Sequence, residues 1–295
     1  MKRFLKWLGI ILSALLALIV VAGIGVYVVS GSRLNRQYNI AVKMIPIPTD
    51  VEAVARGEHI AQSRSCMDCH GPDLSGDVLL DDPLVGTVHT ANLTPGQGGI
   101  GADYTDEDYL RALRHGVGRD GKGLWIMPSH EYYYLSDGDT ADLIAYLKTL
   151  PAVDKQPGEN RAGPLARLLF LTGSLPLLPA ESIDHTGPRP TAPELGVTVE
   201  YGAYLTVGCA GCHGQNFAGG PMPGAPPGTI AANLTPAGNL SGWTEEVFRQ
   251  FLRTGVTPAG REVDRSWMPI DSTKHLTDEE ISAIWLFLQS LPPQE

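Results

Sequence analysis

All four cysteines of the chain lie in two pentapeptides of the form C-x-x-C-H. The cysteines and histidines of these two boxes are Cys66, Cys69 and His70, and Cys209, Cys212 and His213. The spacing is typical of c-type haem attachment, in which two thiols on one side of a helical turn add to the two vinyl groups of a haem. The adjacent histidine then presents a ring nitrogen to the iron as its proximal ligand. The two boxes, 66–70 (box 1) and 209–213 (box 2), therefore predict two covalently bound haems.

Other uses of paired cysteines fit the two boxes less well. A structural zinc site uses C-x-x-C pairs but does not require histidine directly after the second cysteine. A thioredoxin-like redox motif follows a strand in a βαβ unit, and no such pattern surrounds either box. Disulfides between the boxes are chemically possible in an oxidising compartment. Because each box is followed by glycine (Gly71, Gly214) and no cysteine is spare, haem attachment is favoured over these alternatives.

The chain contains an internal repeat with one box in each copy. The tetrapeptide Asn-Leu-Thr-Pro at 92–95 recurs at 233–236, an offset of 141 residues, and the boxes are offset by 143. Such a repeat indicates one ancestral haem-binding unit that occurs twice. Asn92 and Asn233 start tight turns, and their repetition suggests a shared role near the haem, in a hydrogen bond to a propionate or in shaping the methionine loop.

Two methionines occupy equivalent positions in the repeats. Met127 follows His70 by 57 residues, Met268 follows His213 by 55, and a proline follows each methionine. An electron-transfer haem has both axial positions filled, and a thioether opposite histidine raises the potential. We therefore expect Met127 and Met268 to be the distal ligands. A buried core methionine is the ordinary alternative, and Met222 is a rival in the second repeat only.

Six histidines lie outside the boxes, and none has a counterpart in the other repeat. This asymmetry argues against a second histidine as the distal ligand of both irons. His115 is expected at the C-terminal end of a helix, where the helix dipole favours a protonated ring. His59 and His185 are expected to be satisfied or exposed.

Helices must position these groups in each repeat. The candidate N-capping residues are Thr105, Ser136, Thr244 and Thr277. The segments that follow carry apolar residues at helical spacing, and they end at glycine or before proline, as helices usually do. No run of alternating polarity indicates a sheet. We therefore expect an all-α fold in which the haem supplies much of each core.

An uncharged apolar stretch runs from Trp7 to Val29. As a helix it would be about 35 Å long, enough to cross a bilayer. A cleaved signal peptide is the alternative, but its apolar core would be shorter, and residues 30–32 are a weak cleavage site. We expect a retained anchor. Since c-type haem is attached outside the cytoplasm, the haem domains are expected on the periplasmic side of the inner membrane, with the basic N-terminus in the cytoplasm.

Charge is unevenly distributed along the chain. Residues 1–43 hold six Lys or Arg residues and no acidic residue, although the whole chain has a net charge of −10. The remainder is therefore strongly acidic, which argues against nucleic acid as a partner and favours basic protein surfaces. Solubility alone is the alternative reason for this acidity.

These patterns divide the chain into five parts. They are an N-terminal membrane anchor at 1–30, a juxtamembrane linker at 31–48, a first haem domain at 49–153, an interdomain segment at 154–195 and a second haem domain at 196–295. The interdomain segment is too apolar for a free linker. We expect it to pack between the domains, and contact with the membrane or with a partner subunit is the alternative.

The boxes, the Asn-Leu-Thr-Pro turns, the Met-Pro pairs and the closing helix of each repeat together resemble di-haem class I cytochromes c. The closing helices are the last of each repeat, before Leu150-Pro151 and Leu291-Pro292. The resemblance covers roughly residues 50–293 and is greatest to the cytochrome c subunits of membrane-bound alcohol, aldehyde and gluconate dehydrogenases. It implies two tandem class I domains with haem c at each box, His70 and His213 as proximal ligands and Met127 and Met268 as distal ligands. The chain departs from those subunits in having two haem domains where they commonly have three, and in its N-terminal anchor.

The leading hypothesis is a membrane-anchored electron carrier with no catalytic residues of its own. Its expected partners are redox proteins: a periplasmic or membrane dehydrogenase, or another respiratory complex, and a downstream acceptor. The alternative is a di-haem redox enzyme, peroxidase-like or oxidising a small molecule, and such an enzyme needs one iron with an open distal position. The duplicated Met-Pro pairs argue against it. A structural cap on a larger respiratory complex is a third possibility.

Overall fold

The computed structural model describes residues 2–222, 225 and 228–294. Met1 and Glu295, the outer ends of the expected anchor and second haem domain, lie outside the described residues. Helix α1 spans Lys2–Leu34, and its apolar window has a mean hydropathy of 2.7 and is fully exposed. Among the described residues it is the one helix that is long and apolar enough to cross a membrane by length and composition.

Five helices build the first repeat within the described residues. They are α2 (Val51–Ser63), α3 (Cys66–His70), α4 (Asp106–His115), α5 (Ser129–Tyr132) and α6 (Asp137–Leu147). Helix α2 packs against α6 so closely that a Cβ atom on Gly57 would lie 2.0 Å from the carbonyl oxygen of Asp142. Glycine at this position therefore sets the distance between the two helices.

The interdomain segment carries α7 (Pro164–Leu171) and a 3-10 turn at Pro179–Ser182. Its apolar side chains form a separate core with the end of α1, and the buried members are Leu34, Ala162, Ala166, Phe170, Leu177 and Leu178. Trp125 and Ile126, next to Met127, pack against this core. The guanidinium of Arg33 lies 4.0 Å from the Phe170 ring centroid and forms a 2.5 Å ion pair with Glu181. The segment thus packs against both α1 and the first domain. We had expected it to lie between the two haem domains.

The second repeat has the same helical order. Its helices are α8 (Val199–Leu205), α9 (Val207–His213), α10 (Glu245–Thr254), α11 (Ile270–Thr273) and α12 (Asp278–Ser290). Helix α8 packs against α12, where a Cβ atom on Gly202 would lie 2.0 Å from the Ala283 carbonyl oxygen. Gly202 and Ala283 correspond to Gly57 and Asp142, so both domains use the same close helix pair.

The capping predictions are confirmed. The side chains of Thr105, Ser136, Thr244 and Thr277 each accept a backbone N–H of the first helical turn. Gly116 and Gly255 end α4 and α10 with positive φ angles of 64° and 75°. Local sequence therefore determines where these helices begin and end.

Short strands make the all-α expectation only roughly correct. The strands are β1 (Val78–Asp82), β2 (Gly86–His89), β3 (Arg161–Ala162), β4 (Gly220–Pro221) and β5 (Ile230–Ala231). The first three form an antiparallel sheet in the order β1-β2-β3, and β4 pairs with β5. These strands are two to five residues long, too short to show an apolar alternation, and β1 is mostly exposed.

Candidate haem sites

Each box places its histidine against a backbone carbonyl group. Nδ1 of His70 lies 2.8 Å from the carbonyl oxygen of Ala91, and Nδ1 of His213 lies 2.8 Å from that of Ala232. Burial lowers the pKa of both rings, so both are neutral. A neutral imidazole that donates its Nδ1–H to a carbonyl keeps Nε2 as an acceptor, the arrangement usual for a metal-ligating histidine.

The two Asn-Leu-Thr-Pro turns follow these alanines directly and have a structural role. Oδ1 of Asn92 accepts the Thr94 N–H at 3.0 Å, and Nδ2 donates to the Val153 carbonyl at 2.8 Å. Asn233 makes the matching bonds to the Thr235 N–H at 2.9 Å and to the Gln294 carbonyl at 2.9 Å. Each amide ties the turn that positions the proximal histidine to the chain beyond the closing helix. This role differs from the expected hydrogen bond to a propionate, because backbone groups already bind both the oxygen and the nitrogen of each amide.

The box cysteines are free thiols. Burial raises the pKa of Cys66 to about 12 and that of Cys209 to about 11, and it also raises the pKa of Cys69 and Cys212. The thiols are therefore protonated at neutral pH. Within the described ranges, no group of three or more His, Cys, Asp or Glu side chains is arranged to hold a metal ion. The two boxes thus form neither the disulfides nor the shared zinc site considered above.

Each domain brings its box and its Met-Pro pair to one core. Met127 packs against the first-domain core that contains Cys66 and Leu74, and Met268 packs together with Cys209 against the second-domain core. The proline after each methionine precedes the short helix α5 or α11. Met222 lies beside the β4–β5 ribbon, where its N–H donates to the Thr229 carbonyl at 3.1 Å.

A buried hydroxyl group in the first core also fits a haem. The Tyr109 side chain is 3% exposed, and its hydroxyl has no hydrogen-bond partner among the described residues. Tyr109 belongs to the core that contains Cys66 and contacts Met127. Burial raises its pKa to about 12, so it keeps its proton and is available as a donor. A neutral His70 ring, free thiols that can add to vinyl groups and this unpaired donor fit a covalently attached porphyrin.

The domains contact each other through residues at equivalent positions. Nε2 of His59 on α2 lies 2.9 Å from Oε1 of Glu280 on α12. In the reverse direction, the Tyr204 hydroxyl on α8 donates to the Asp139 carboxylate on α6. Asp139 and Glu280 are each the third residue of the closing helix, and His59 and Tyr204 each lie two residues after Gly57 and Gly202. Reciprocal contacts of this kind indicate an approximate two-fold relation between the domains.

The same relation places each box against the other domain. Ser272 on α11 donates from Oγ to the carboxylate of Asp68, inside box 1, at 2.8 Å. Glu131 on α5 lies against box 2, where a Cβ atom on Gly211 would be 2.4 Å from its Oε1. Since α5 and α11 follow the two Met-Pro pairs, each box contacts the segment next to the other domain's methionine. Sequence reasoning missed this interface, because no local pattern indicates which surfaces of the two domains meet.

Comparison with known proteins agrees with this geometry. Residues 54–151 and 199–292 each match the family model of cytochrome c. The fructose dehydrogenase cytochrome subunit of Gluconobacter japonicus is 30% identical over 260 aligned positions, covering 81% of this chain and 53% of that protein. The gluconate 2-dehydrogenase cytochrome c subunit of Pantoea cypripedii is 30% identical over 270 positions, covering 81% and 59%. A diheme cytochrome c-type protein of Cereibacter sphaeroides is 31% identical over 321 positions, covering 96% and 99%.

The chain spans little more than half the length of the two dehydrogenase subunits but nearly all of the diheme cytochrome. Each family match contains one C-x-x-C-H box and one of the equivalent pairs Met127-Pro128 and Met268-Pro269. With both boxes built as the chemistry of haem attachment requires, this protein belongs to the cytochrome c family, whose domains bind haem c covalently and transport electrons.

Proposed function

We propose that this protein is a membrane-anchored di-haem cytochrome c that passes electrons from a dehydrogenase or respiratory complex to a downstream acceptor. The observation that carries the proposal is the duplicated site, in which box, histidine–carbonyl bond and Met-Pro pair recur at equivalent positions. When bound, haem c supplies one-electron redox chemistry. The chain itself provides attachment, axial ligands, burial and a fixed relation between the two sites.

The geometry of the two cores supports the proposed ligand set. The thiols that attach the haems are Cys66, Cys69, Cys209 and Cys212. Nε2 of His70 and of His213 serves as the proximal ligand, because Nδ1 is held by the carbonyl of Ala91 or Ala232. The sulfur atoms of Met127 and Met268 serve as distal ligands, which leaves neither iron open to a substrate.

The proposed domain boundaries and orientation are those predicted from the sequence. The anchor is 1–30, the linker 31–48, the haem domains 49–153 and 196–295, and the interdomain segment 154–195. Helix α1 anchors the protein in the inner membrane with the haem domains on the periplasmic side, since haem c is attached there. The Arg33–Glu181 ion pair supports this arrangement, because it joins the end of α1 to the interdomain segment that packs on the first domain.

The proposed electron donor is a dehydrogenase subunit. The relatives named above are cytochrome subunits of fructose and gluconate dehydrogenases. The acidic haem-bearing part of the chain favours a basic docking face on the partner. Purification of the full chain in mild detergent, with identification of the bound subunits, tests this part of the proposal.

The haem assignment is tested on the purified full chain. Pyridine haemochrome analysis should give two haem c groups per polypeptide, and electron paramagnetic resonance of the oxidised protein should show two low-spin irons. A high-spin iron in the unmodified protein, or ready cyanide binding, would instead favour the enzyme hypothesis for that haem. Fewer than two covalent haems would contradict the di-haem assignment itself.

A further inference from the structure

A cavity of about 200 Å³ lies away from the box residues, between the first domain, the juxtamembrane linker and the interdomain segment. Its cationic side chains are Lys43 of the linker, Arg114 of α4 and Arg189 of the interdomain segment. His115, His185 and Thr186 also line it, and no acidic side chain does so among the described residues. We call this cavity the basic cleft.

Arg114 has unused donors in the basic cleft. Its side chain is only 2% exposed, and its Nη2 donates to Oδ1 of Asp137 at 2.5 Å. Its Nε and Nη1 are buried and have no hydrogen-bond partner among the described residues. A buried charged donor without a partner is costly, so an acceptor is expected at this position.

The second domain provides an internal comparison for Arg114. Arg253 is the equivalent residue, and it binds Asp278, which corresponds to Asp137. Arg253 also donates from Nη1 to the backbone carbonyl of Lys274, and its side chain is 32% exposed. The unpaired donors of Arg114 are therefore not a property of the fold, and they arise where the interdomain segment covers the first domain.

Arg189 faces the same cleft with two more unpaired donors. Its Nε and Nη2 are buried without a partner among the described residues, and its guanidinium lies 4.7 Å from the Tyr133 ring centroid. Burial, together with the nearby charge of Arg114, lowers the pKa of Arg189 to about 10, so it remains charged at neutral pH. Two guanidinium groups that repel each other thus share one partly enclosed space.

The acidic groups near the cleft already have hydrogen-bond partners and leave the other arginine donors unpaired. Asp137 accepts from Arg114 and lies 4.0 Å from Nζ of Lys43. The carboxylate of Asp184 accepts the backbone N–H and the hydroxyl of Thr186 at 3.0 and 2.9 Å. The free Nε, Nη1 and Nη2 donors of the two arginines therefore remain for a ligand.

The two histidines of the cleft do not add charge to it. Their Nδ1 atoms are 3.1 Å apart, so one ring donates to the other. Burial, and after it the charges of His185, Arg189 and Arg114 in that order, lowers the pKa of His115 to about 4. The expectation of a protonated His115 at the end of α4 is therefore wrong, because the interdomain segment buries the ring beside other basic groups.

We propose that the basic cleft binds a small oxyanion with phosphate chemistry. The planar donor forks of Arg114 and Arg189 match a tetrahedral or carboxylate oxyanion in geometry and charge. The ammonium group of Lys43 contributes a further point charge. Two sources of phosphate are compatible with the site: a free phosphate ion, and the headgroup of an anionic lipid beside the anchor. The proposal does not depend on the haem ligands.

Titration calorimetry of the full-length holoprotein with inorganic phosphate tests the site. Measurements are made in phosphatidylcholine nanodiscs at constant ionic strength. The expected result is binding of one phosphate per chain. Arg189→Gln should weaken binding by about tenfold or more, the equivalent of one charge-assisted hydrogen bond, whereas Arg189→Lys should weaken it less. The matched control is Arg265→Gln on the exposed surface of the second domain, which should leave the affinity unchanged.

A second arm of the experiment identifies the source of the phosphate group. If a lipid headgroup occupies the cleft, nanodiscs that contain phosphatidylglycerol will weaken binding of free phosphate by competition. Equal affinity in both kinds of nanodisc assigns the site to a free anion. The absence of phosphate binding in phosphatidylcholine nanodiscs, or an equal affinity in Arg189→Gln, would overturn the proposal. Unchanged haem absorbance and thermal unfolding of each variant establish that the fold is intact.

Discussion

His59 Nε2 and Glu280 Oε1 lie 2.9 Å apart although 221 residues separate them along the chain. The pair joins the first helix of the first domain to the closing helix of the second. Tyr204 and Asp139 make the corresponding contact in the reverse direction. Together these two pairs hold the domains in an approximate two-fold arrangement, and this arrangement places each box against the other domain.

The His59–Glu280 pair should make stability depend on pH. The hydrogen bond to Glu280 raises the pKa of His59 above 6.5. Protonated His59 therefore stabilises the folded protein fully below pH 6.5, and this contribution is lost as the pH rises through the raised pKa. Burial alone would raise the pKa of Glu280, but His59 and Thr277 lower it below 4.5. The stability that ionised Glu280 contributes is therefore lost as the pH falls through the lowered pKa. The pair should therefore stabilise most between these limits.

In the unmodified protein we expect the free energy of unfolding to fall between pH 6 and pH 8 by about 1 kcal/mol or less, because the pair is partly exposed. In His59→Gln this fall should be absent. Denaturant unfolding of the full chain at several pH values measures it. The control is His275→Gln, because that histidine is exposed. A pH profile that is the same in His59→Gln and in the unmodified protein would show that the pair does not stabilise the interface.

The distal ligand of the second haem can be identified by two matched substitutions. Met268→Ala should lower the potential of that haem, on the order of 100 mV within the ≈ 0.8 V range that axial ligation controls, and allow cyanide to bind. Met222→Ala should do neither, because Met222 lies beside the β4–β5 ribbon. Redox potentiometry and cyanide titration distinguish the two variants, and the reverse pattern would transfer the ligand role to Met222.

Gly57 should tolerate no side chain. A methyl group there would overlap the Asp142 carbonyl group, so α2 and α6 must separate, at a cost of about 3 kcal/mol or more. Gly138→Ala is the matched control, because the nearest atom to an added Cβ is 3.8 Å away, and alanine should leave stability unchanged or slightly raised. Thermal unfolding compares the two variants, and a similar midpoint for both would contradict the close helix contact.

Asn92 should stabilise the first domain without touching the haem. Asn92→Ala leaves the buried Thr94 N–H and the Lys155 carbonyl without the amide as a partner, at a cost of about 1–3 kcal/mol. The Val153 carbonyl keeps the Thr94 hydroxyl as a donor. Asn216→Ala, at an exposed position in the second domain, should cost far less. Denaturant unfolding measures both. A normal stability in Asn92→Ala, combined with a changed haem spectrum, would instead support a hydrogen bond to a propionate.

Much of each haem site could be predicted from the sequence because its chemistry is local. A C-x-x-C-H box specifies attachment and the proximal ligand within five residues, and helix caps such as Thr105 and Thr277 act within one turn. The repeat made the Met-Pro pairs visible as candidate ligands, since two copies of one unit share equivalent positions. The apolar N-terminal stretch likewise predicted one long exposed helix.

The domain interface, the basic cleft and the position of the interdomain segment depend on contacts between parts of the chain that are distant in the sequence. The interdomain segment packs against α1 and the first domain, and it buries His115 and Arg114 in the basic cleft, which no local pattern indicates. The short strands have no apolar alternation to reveal them, and β3 joins β2 only because two distant segments meet. The His59–Glu280 pair exists only because the domains pack with approximate two-fold symmetry. The sequence by itself determined the chemistry of each unit, and only the tertiary structure decided how the units, the anchor and the connecting segment lie together, because such long-range contacts have no fixed spacing along the chain.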